Sequence, residues 1–270
     1  MYIKHKFKKM KGKRGMNKKK LISLCLVLCL AAIAIVGGTM AYFTDTDSQK
    51  NTFTTGNVAI DLWEDFGDND AQGIEELIPA TGSAQAGTLK NGVEKEIYVT
   101  NDGSEKAFVR IHFAIPAVLD DGDPTFNASA NTLHWNFKNY GNGLWNWTKT
   151  AGSAGYAAGD WNYYDISIDN VKYNVYVATY ETALVKDQTT ENAIHQVYLD
   201  SKTTNENIAG IKKAIGDNWY IYVAAEGTQA DGFKNAYEAL NTAFGNPADA
   251  SYTSKIDWKT VTGRTWINLD

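Results

Sequence analysis

The chain is poor in cysteine and histidine and has a single long apolar run. Its two cysteines, Cys25 and Cys29, both lie inside that run, so everything after it is cysteine-free. This excludes a disulfide framework and a cysteine nucleophile for the rest of the chain. Only His112, His134 and His195 follow the run, and no H-E-x-x-H occurs. A zinc peptidase needs two or three imidazoles or a carboxylate on the metal, and a glutamate as base. The three histidines read as unrelated, and the chain reads as a non-enzyme. A serine-hydrolase elbow G-x-S-x-G and a phosphate loop G-x-x-x-x-G-K-[ST] are also missing. Acidic residues are missing from residues 1–41, which hold nine lysines and one arginine. The remainder then has 16 basic residues against 31 acidic ones, a formal charge of −15. Such a surface repels nucleic acid, attracts cations, and restrains self-association until counter-ions screen it.

What is present begins with an export signal. Lys18, Lys19 and Lys20 form a positive n-region, and Leu21 to Val36 is a run of sixteen residues with only Ser23 polar. Gly37 and Gly38 break the run, and Thr39-Met40-Ala41 puts small residues at −3 and −1 of a cleavage site. The run is shorter than the ~20 residues that span a bilayer, so cleavage between Ala41 and Tyr42 is expected in place of a stable membrane anchor. Leucine precedes both cysteines, which argues against a lipoprotein signal. Residues 1–15 are a basic leader: an overlong n-region, or a stretch upstream of a start at Met16.

Gly37 to Asp45 (GGTMAYFTD), followed by Phe53, Gly56, Val58, Ile60 and Leu62, resembles the start of the TasA/camelysin family of Gram-positive surface proteins. Val223 to Phe233 (VAAEGTQADGF) resembles a late strand of the same family. The resemblance implies processing by a SipW-type signal peptidase and a secreted jelly-roll sandwich. It further implies fibres of the biofilm matrix built from copies of the chain, with other matrix proteins or polysaccharide as further partners. Described relatives of the camelysin type make a surface metallopeptidase the enzymatic alternative.

The remaining pattern is that of an all-β domain over 42–270 with helical insertions, an antiparallel jelly-roll-like β-sandwich. Residues 42–56 are polar and expected to be flexible. Val58, Ile60 and Leu62 alternate as a half-buried strand. Val93 to Thr100 and Ala107 to Ile115 are strands, paired or joined across the sandwich. In the second, Ala107, Val109, Ile111, Phe113 and Ile115 face in, while Phe108, Arg110, His112 and Ala114 face out. Leu133 to Tyr164 reads as short strands with wide turns, and Lys172 to Tyr180 and Trp219 to Glu226 as long strands. Helical connections are expected near 190–216, with Thr203 and Glu206 as a capping box, and near 232–244, capped by Asp231. Lys255 to Val261 and Thr265 to Leu269 are the expected last strands.

Two loops and one aromatic stretch carry the candidate binding chemistry. Asp65, Asp68 and Asp70, and separately Asp120, Asp121 and Asp123, are carboxylate clusters that could serve calcium; no cofactor is otherwise required. Pro79 stands where an EF-hand loop starting at Asp68 needs its bidentate glutamate, which favours solvated loops. The Trp-rich stretch, with Trp145 and Trp147, reads as core first and as a glycan-binding adhesin surface second. For assembly, Tyr42, Phe43, Phe53, Val58 and Ile60 are the donor-strand candidates, released by cleavage to fill an open sheet edge in a neighbour. The same stretch could instead fold back as the first strand of its own domain.

Overall fold

The computed structural model describes residues 44–47, 58–65, 77, 79–82, 89–120, 132–139, 143–152, 161–216, 219–261 and 264–267. It is mostly β, with antiparallel sheets and two short helices among these residues. The largest sheet has seven strands. Three long ones form its centre: β6 (Ala107–Pro116), β10 (Val171–Tyr180) and β12 (Trp219–Gln229). β6 lies between the other two, antiparallel to both. Each outer flank is closed by two short strands set end to end. On β12 these are β1 (Thr44–Asp47) and β13 (Arg264–Ile267). On β10 they are β8 (Trp145–Asn146) and β9 (Tyr163–Ile168). Asp169 and Asn170, at φ 48° and 69°, make the two-residue turn between β9 and β10, the left-handed geometry a tight hairpin needs.

A second sheet gathers β3 (Pro79–Ala80), β4 (Val93–Glu94) and β7 (Leu133–Asn136) on β11 (Gln196–Asp200). β2 (Ile60–Asp65) and β5 (Glu96–Asn101) form a two-stranded ribbon. Thus β5 and β6, read as paired or joined across the domain, are joined across: they belong to different sheets. One core connects all three. It takes Ile60, Ile97 and Val99 from the ribbon, Val109, Ile111, Phe113, Val223 and Ala225 from the large sheet, and Trp135, Val197 and Leu199 from the second sheet. Trp135, Trp147 and Trp161 meet at its centre with ring centroids 6.1–6.3 Å apart, and Tyr176 lies 5.0 Å from Trp135. Trp145 and Trp147 are fully buried, so the Trp-rich stretch is core and offers these rings to no ligand.

Several sequence expectations are corrected. The face of β6 read as outward is buried along its whole length. Helix α2 (Ala236–Phe244) covers Phe108, and residues 256–261 cover Ala114. Residues 255–261 form turns in place of the expected strand, with Ile256, Trp258 and Val261 packed on the sheet. No helix forms over 190–199. There Thr190 and Asn192 bond to the β5 edge, accepting from the Val99 and Ile97 N–H groups at 3.0 and 2.7 Å, and β11 follows. Helix α1 (Asn205–Ile215) lays Ile211 on the core as expected, but its capping box is Thr204 with Asn207, one residue later than read. α2 is capped by Asn235 instead of Asp231, and Gly245 ends it at φ 92°.

Replacing Trp147 by alanine should lower the unfolding free energy by about 3–5 kcal/mol in urea denaturation. Val185→Ala, at a position 46% exposed, should change it by no more than about 0.5 kcal/mol.

Candidate functional site at the N-terminal docking seam

The late strand β12 is where the N-terminal part of the chain is received, and its two faces do different work. Side chains alternate along it, so Val223, Ala225 and Gly227 point into the core while Ala224, Glu226 and Thr228 point to the covered face. On the inner side, Ile60 lies over Gly227. A Cβ at Gly227 would meet Ile60 Cγ2 at 2.7 Å, too close for any side chain. The glycine is therefore the recess that lets β2 cross the large sheet. Val58 and Ile60, two of the donor-strand candidates, are buried here in the chain's own core. On the edge, β1 pairs antiparallel with β12, from Thr44 opposite Thr228 to Asp47 opposite Ala225. Residues 42–56 were read as flexible, yet these four form a ladder. Tyr42, Phe43 and Phe53 lie outside the described residues, as does the Ala41–Tyr42 junction.

β2 is fixed to β5 by six rungs, from Ile60 opposite Asn101 to Asp65 opposite Glu96. Lys95, with no exposed surface, contacts Glu64 of β2 as a buried ion pair. Breaking such a pair costs more than it gained on forming, because one charge is left buried alone.

Behind the edge, on the covered face, Glu226 is the centre of a buried polar group. Arg110 Nε donates to its Oε2 at 2.6 Å, and His112 Nε2 lies 3.0 Å from the same oxygen. Arg110 Nη1 donates to Asn241 Oδ1 at 3.2 Å and to the Gly245 carbonyl at 3.1 Å, which ties α2 to the sheet. Tyr164 O–H reaches His112 Nδ1 at 3.1 Å. Burial pushes the Glu226 carboxyl up, but the His112 imidazole and the Arg110 guanidinium outweigh it and bring it below the ordinary carboxylate range. Burial holds His112 below its ordinary value against the pull of Glu226. The ring is therefore neutral near pH 7 and Arg110 is the cation that keeps Glu226 ionised. In that state Nε2–H donates to Glu226 and Nδ1 accepts from Tyr164. Burial also raises Tyr164 well above its ordinary value, so it stays a donor.

The metal expectations fare differently. Asp68, Asp70, Asp121 and Asp123 lie outside the described residues, and Asp65 ends β2. Asp120 is buried and accepts from Asn174 Nδ2, at 2.8 Å on its carbonyl and 3.4 Å on its carboxylate. It anchors its loop to β10. Among the described residues no group of three His, Cys, Asp or Glu side chains converges as a metal site. His112 has both ring nitrogens engaged, and His134 Nε2 is 3.0 Å from Asp200 Oδ2.

In the sequence Glu226 and Gly227 carry no mark of these roles, and alternation along β6 sets Arg110 and His112 on the face opposite the core. The available signal is a glutamate directly after the run Trp219 to Ala225; a carboxylate buried in such a strand calls for a cation beside it.

Two predictions follow from this geometry. Both Glu226 and His112 have folded-state values below their unfolded ones, so the unfolded chain binds more protons as pH falls. Stability is complete at pH 7–8, declines below about 6.5 as His112 must charge, and declines again below about 4.3 through Glu226. Urea denaturation between pH 8 and about 2.5 should show both limbs, and His112→Gln should lose the upper one. Gly227→Val should cost about 1–3 kcal/mol by overpacking and speed hydrogen exchange across 58–62 more than across β10.

A family model described as camelysin metallo-endopeptidase matches residues 16–102. No curated protein matches the chain. The match runs from Met16 through β5 and stops before β6, so it contains β1, β2 and Lys95 but not Arg110, His112 or Glu226. Residues 16–102, about a third of the chain, are thus similar to the camelysin family, in agreement with the TasA/camelysin resemblance carried by Gly37 to Asp45 and the first strand.

Proposed function

We propose that this is a secreted structural protein of the extracellular matrix that polymerises by exchanging its N-terminal strand. The observation that carries the reading is β1 on the edge of β12. A four-residue strand, next in sequence to the expected cleavage site, occupies half of one flank of the largest sheet. The same ladder forms whether β1 comes from its own chain or from a neighbour, so exchange leaves the local hydrogen bonds unchanged. Donation in one direction is a head-to-tail contact that does not close, and it yields a fibre. In this reading the sheets form a jelly-roll-like sandwich, a SipW-type peptidase frees Tyr42, and β2 remains fastened to its own β5 by the Lys95–Glu64 pair. The acidic surface slows growth until cations screen it, with the aspartates at 65–70 and 120–123 as the candidate calcium loops.

The name of the matched family carries the alternative, an endopeptidase. Caseinolysis by the purified protein, abolished by a chelator and restored by zinc, would establish that activity.

Electron microscopy of the 42–270 protein beside one starting at Gly56, each with and without calcium, tests assembly. Fibres are expected from the longer protein alone, sooner with calcium. Fibres of equal abundance from both would remove the donor role of β1, and folded protein that never forms fibres would remove the assembly reading.

A further inference from the structure

We infer that the outer face of the β2–β5 ribbon is a glycan-binding platform for a polysaccharide that carries free amino groups. Of the tryptophans whose side chains are described, Trp135, Trp145, Trp147, Trp161 and Trp258 are all at most 8% exposed, whereas Trp63 is 51% exposed. Trp63 stands directly opposite Tyr98 in the ladder, and the two rings lie 6.0 Å apart and within 12° of parallel. The two rings stack on each other, so Tyr98 braces the indole and Trp63 stands as an exposed ring on the solvent side of the ribbon. The residues on the inner side of β2, Ile60 and Leu62, pack on the core, so the placement of Trp63 is set by strand alternation.

The rungs on either side are polar. Asp61 pairs with Thr100 on one side of the aromatic rung, and Asp65 with Glu96 on the other. Thr100 and Thr189 hydroxyls bond to each other at 2.8 Å and extend the polar border. Asp61 and Glu96 are exposed. An exposed indole braced by a tyrosine and bordered by carboxylates and hydroxyls matches a hexose: its C–H face stacks on the free surface of Trp63 and its rim groups hydrogen-bond to the border. The charge selects among sugars. Carboxylates on both sides, in a chain of formal charge −15 beyond residue 41, favour ammonium groups on the ligand. The same charge disfavours a second copy of this acidic chain on the same face. A peptide added as a strand would use an edge of the ribbon, whereas this feature lies on its face.

The test uses the exported protein and a deacetylated hexamer of β-linked glucosamine, with its fully N-acetylated counterpart and a lysine hexapeptide as controls. Tryptophan emission should change on titration with the glucosamine hexamer. Trp63→Ala should weaken binding about tenfold or more, as loss of a central aromatic anchor does, with the circular dichroism spectrum and Tm unchanged. Asp61→Asn with Glu96→Gln should weaken it roughly threefold and flatten its salt dependence. The N-acetylated hexamer should bind more weakly than the amine form. Equal binding by the lysine peptide, or binding of the glucosamine hexamer indifferent to Trp63, would mean attraction to the acidic surface only and would overturn the site. No binding by the unaltered protein up to about 1 mM would do the same. So would Trp63→Ala changing sedimentation of the protein without changing glycan binding, which would make the patch a contact between copies. Fibre growth depends on β1 and is scored separately, so either inference can fail alone.

Discussion

The carboxylate of Glu226 is the fixed point of this domain. It is fully buried, it lies in the longest antiparallel ladder, that of β6 with β12, and it is held by one guanidinium and one imidazole from β6. An ionised carboxylate at that depth is tolerable only because both neighbours donate to it. The pairing register of β6 and β12 puts Arg110 opposite Glu226, so a one-residue slip of either strand would leave the two charges buried on opposite faces. The same guanidinium reaches Asn241 and the end of α2, and His112 reaches Tyr164 on β9. One anion thereby sets strand register, positions the helix that closes the sheet, and orients a ring from the far flank.

The inner face of the same strand is organised by size in place of charge. Gly227 offers no side chain, and Ile60 takes the space. Neighbouring residues of one short motif thus solve two problems: the glutamate anchors the sheet from one side, and the glycine admits the N-terminal segment from the other. The Lys95–Glu64 pair then holds β2 where that recess has placed it. Attachment of the chain's beginning to its body is therefore divided between packing, a buried charge pair, and, for β1, backbone ladder bonds to the edge of β12.

Much of this was legible in the sequence. Two-residue alternation located β6, β10 and β12 and separated the two faces of β6, because the period is a property of the local chain. Three-and-four spacing located α1 and α2. What the pattern could not reveal was which element covers a face. Arg110 and His112 look like solvent-facing positions until α2 and the turns at 256–261, more than a hundred residues later, fold over them. The stretch 190–199 failed for a related reason: Thr190 and Asn192 give their side chains to the edge of β5, a long-range demand that overrides local helical spacing. β1 has no apolar period at all. Its sequence, TDTD, joins a sheet through its backbone, which depends on an open edge elsewhere. The capping box lay one residue from its expected place, since asparagine at Asn207 serves the role sought in a glutamate.

The two short strands on the outer flank of β12 run in the same direction. β1 ends at Asp47 opposite Ala225, and β13 begins at Arg264 opposite Tyr222. They behave as one interrupted strand, supplied half by the beginning of the domain and half by its end. Thr44 is opposite Thr228 and Ile267 opposite Trp219, nine positions away along β12. At strand rise that separates the two exits by about 30 Å. A reporter domain attached beyond β13 therefore leaves from the far end of the flank, clear of the half that β1 occupies.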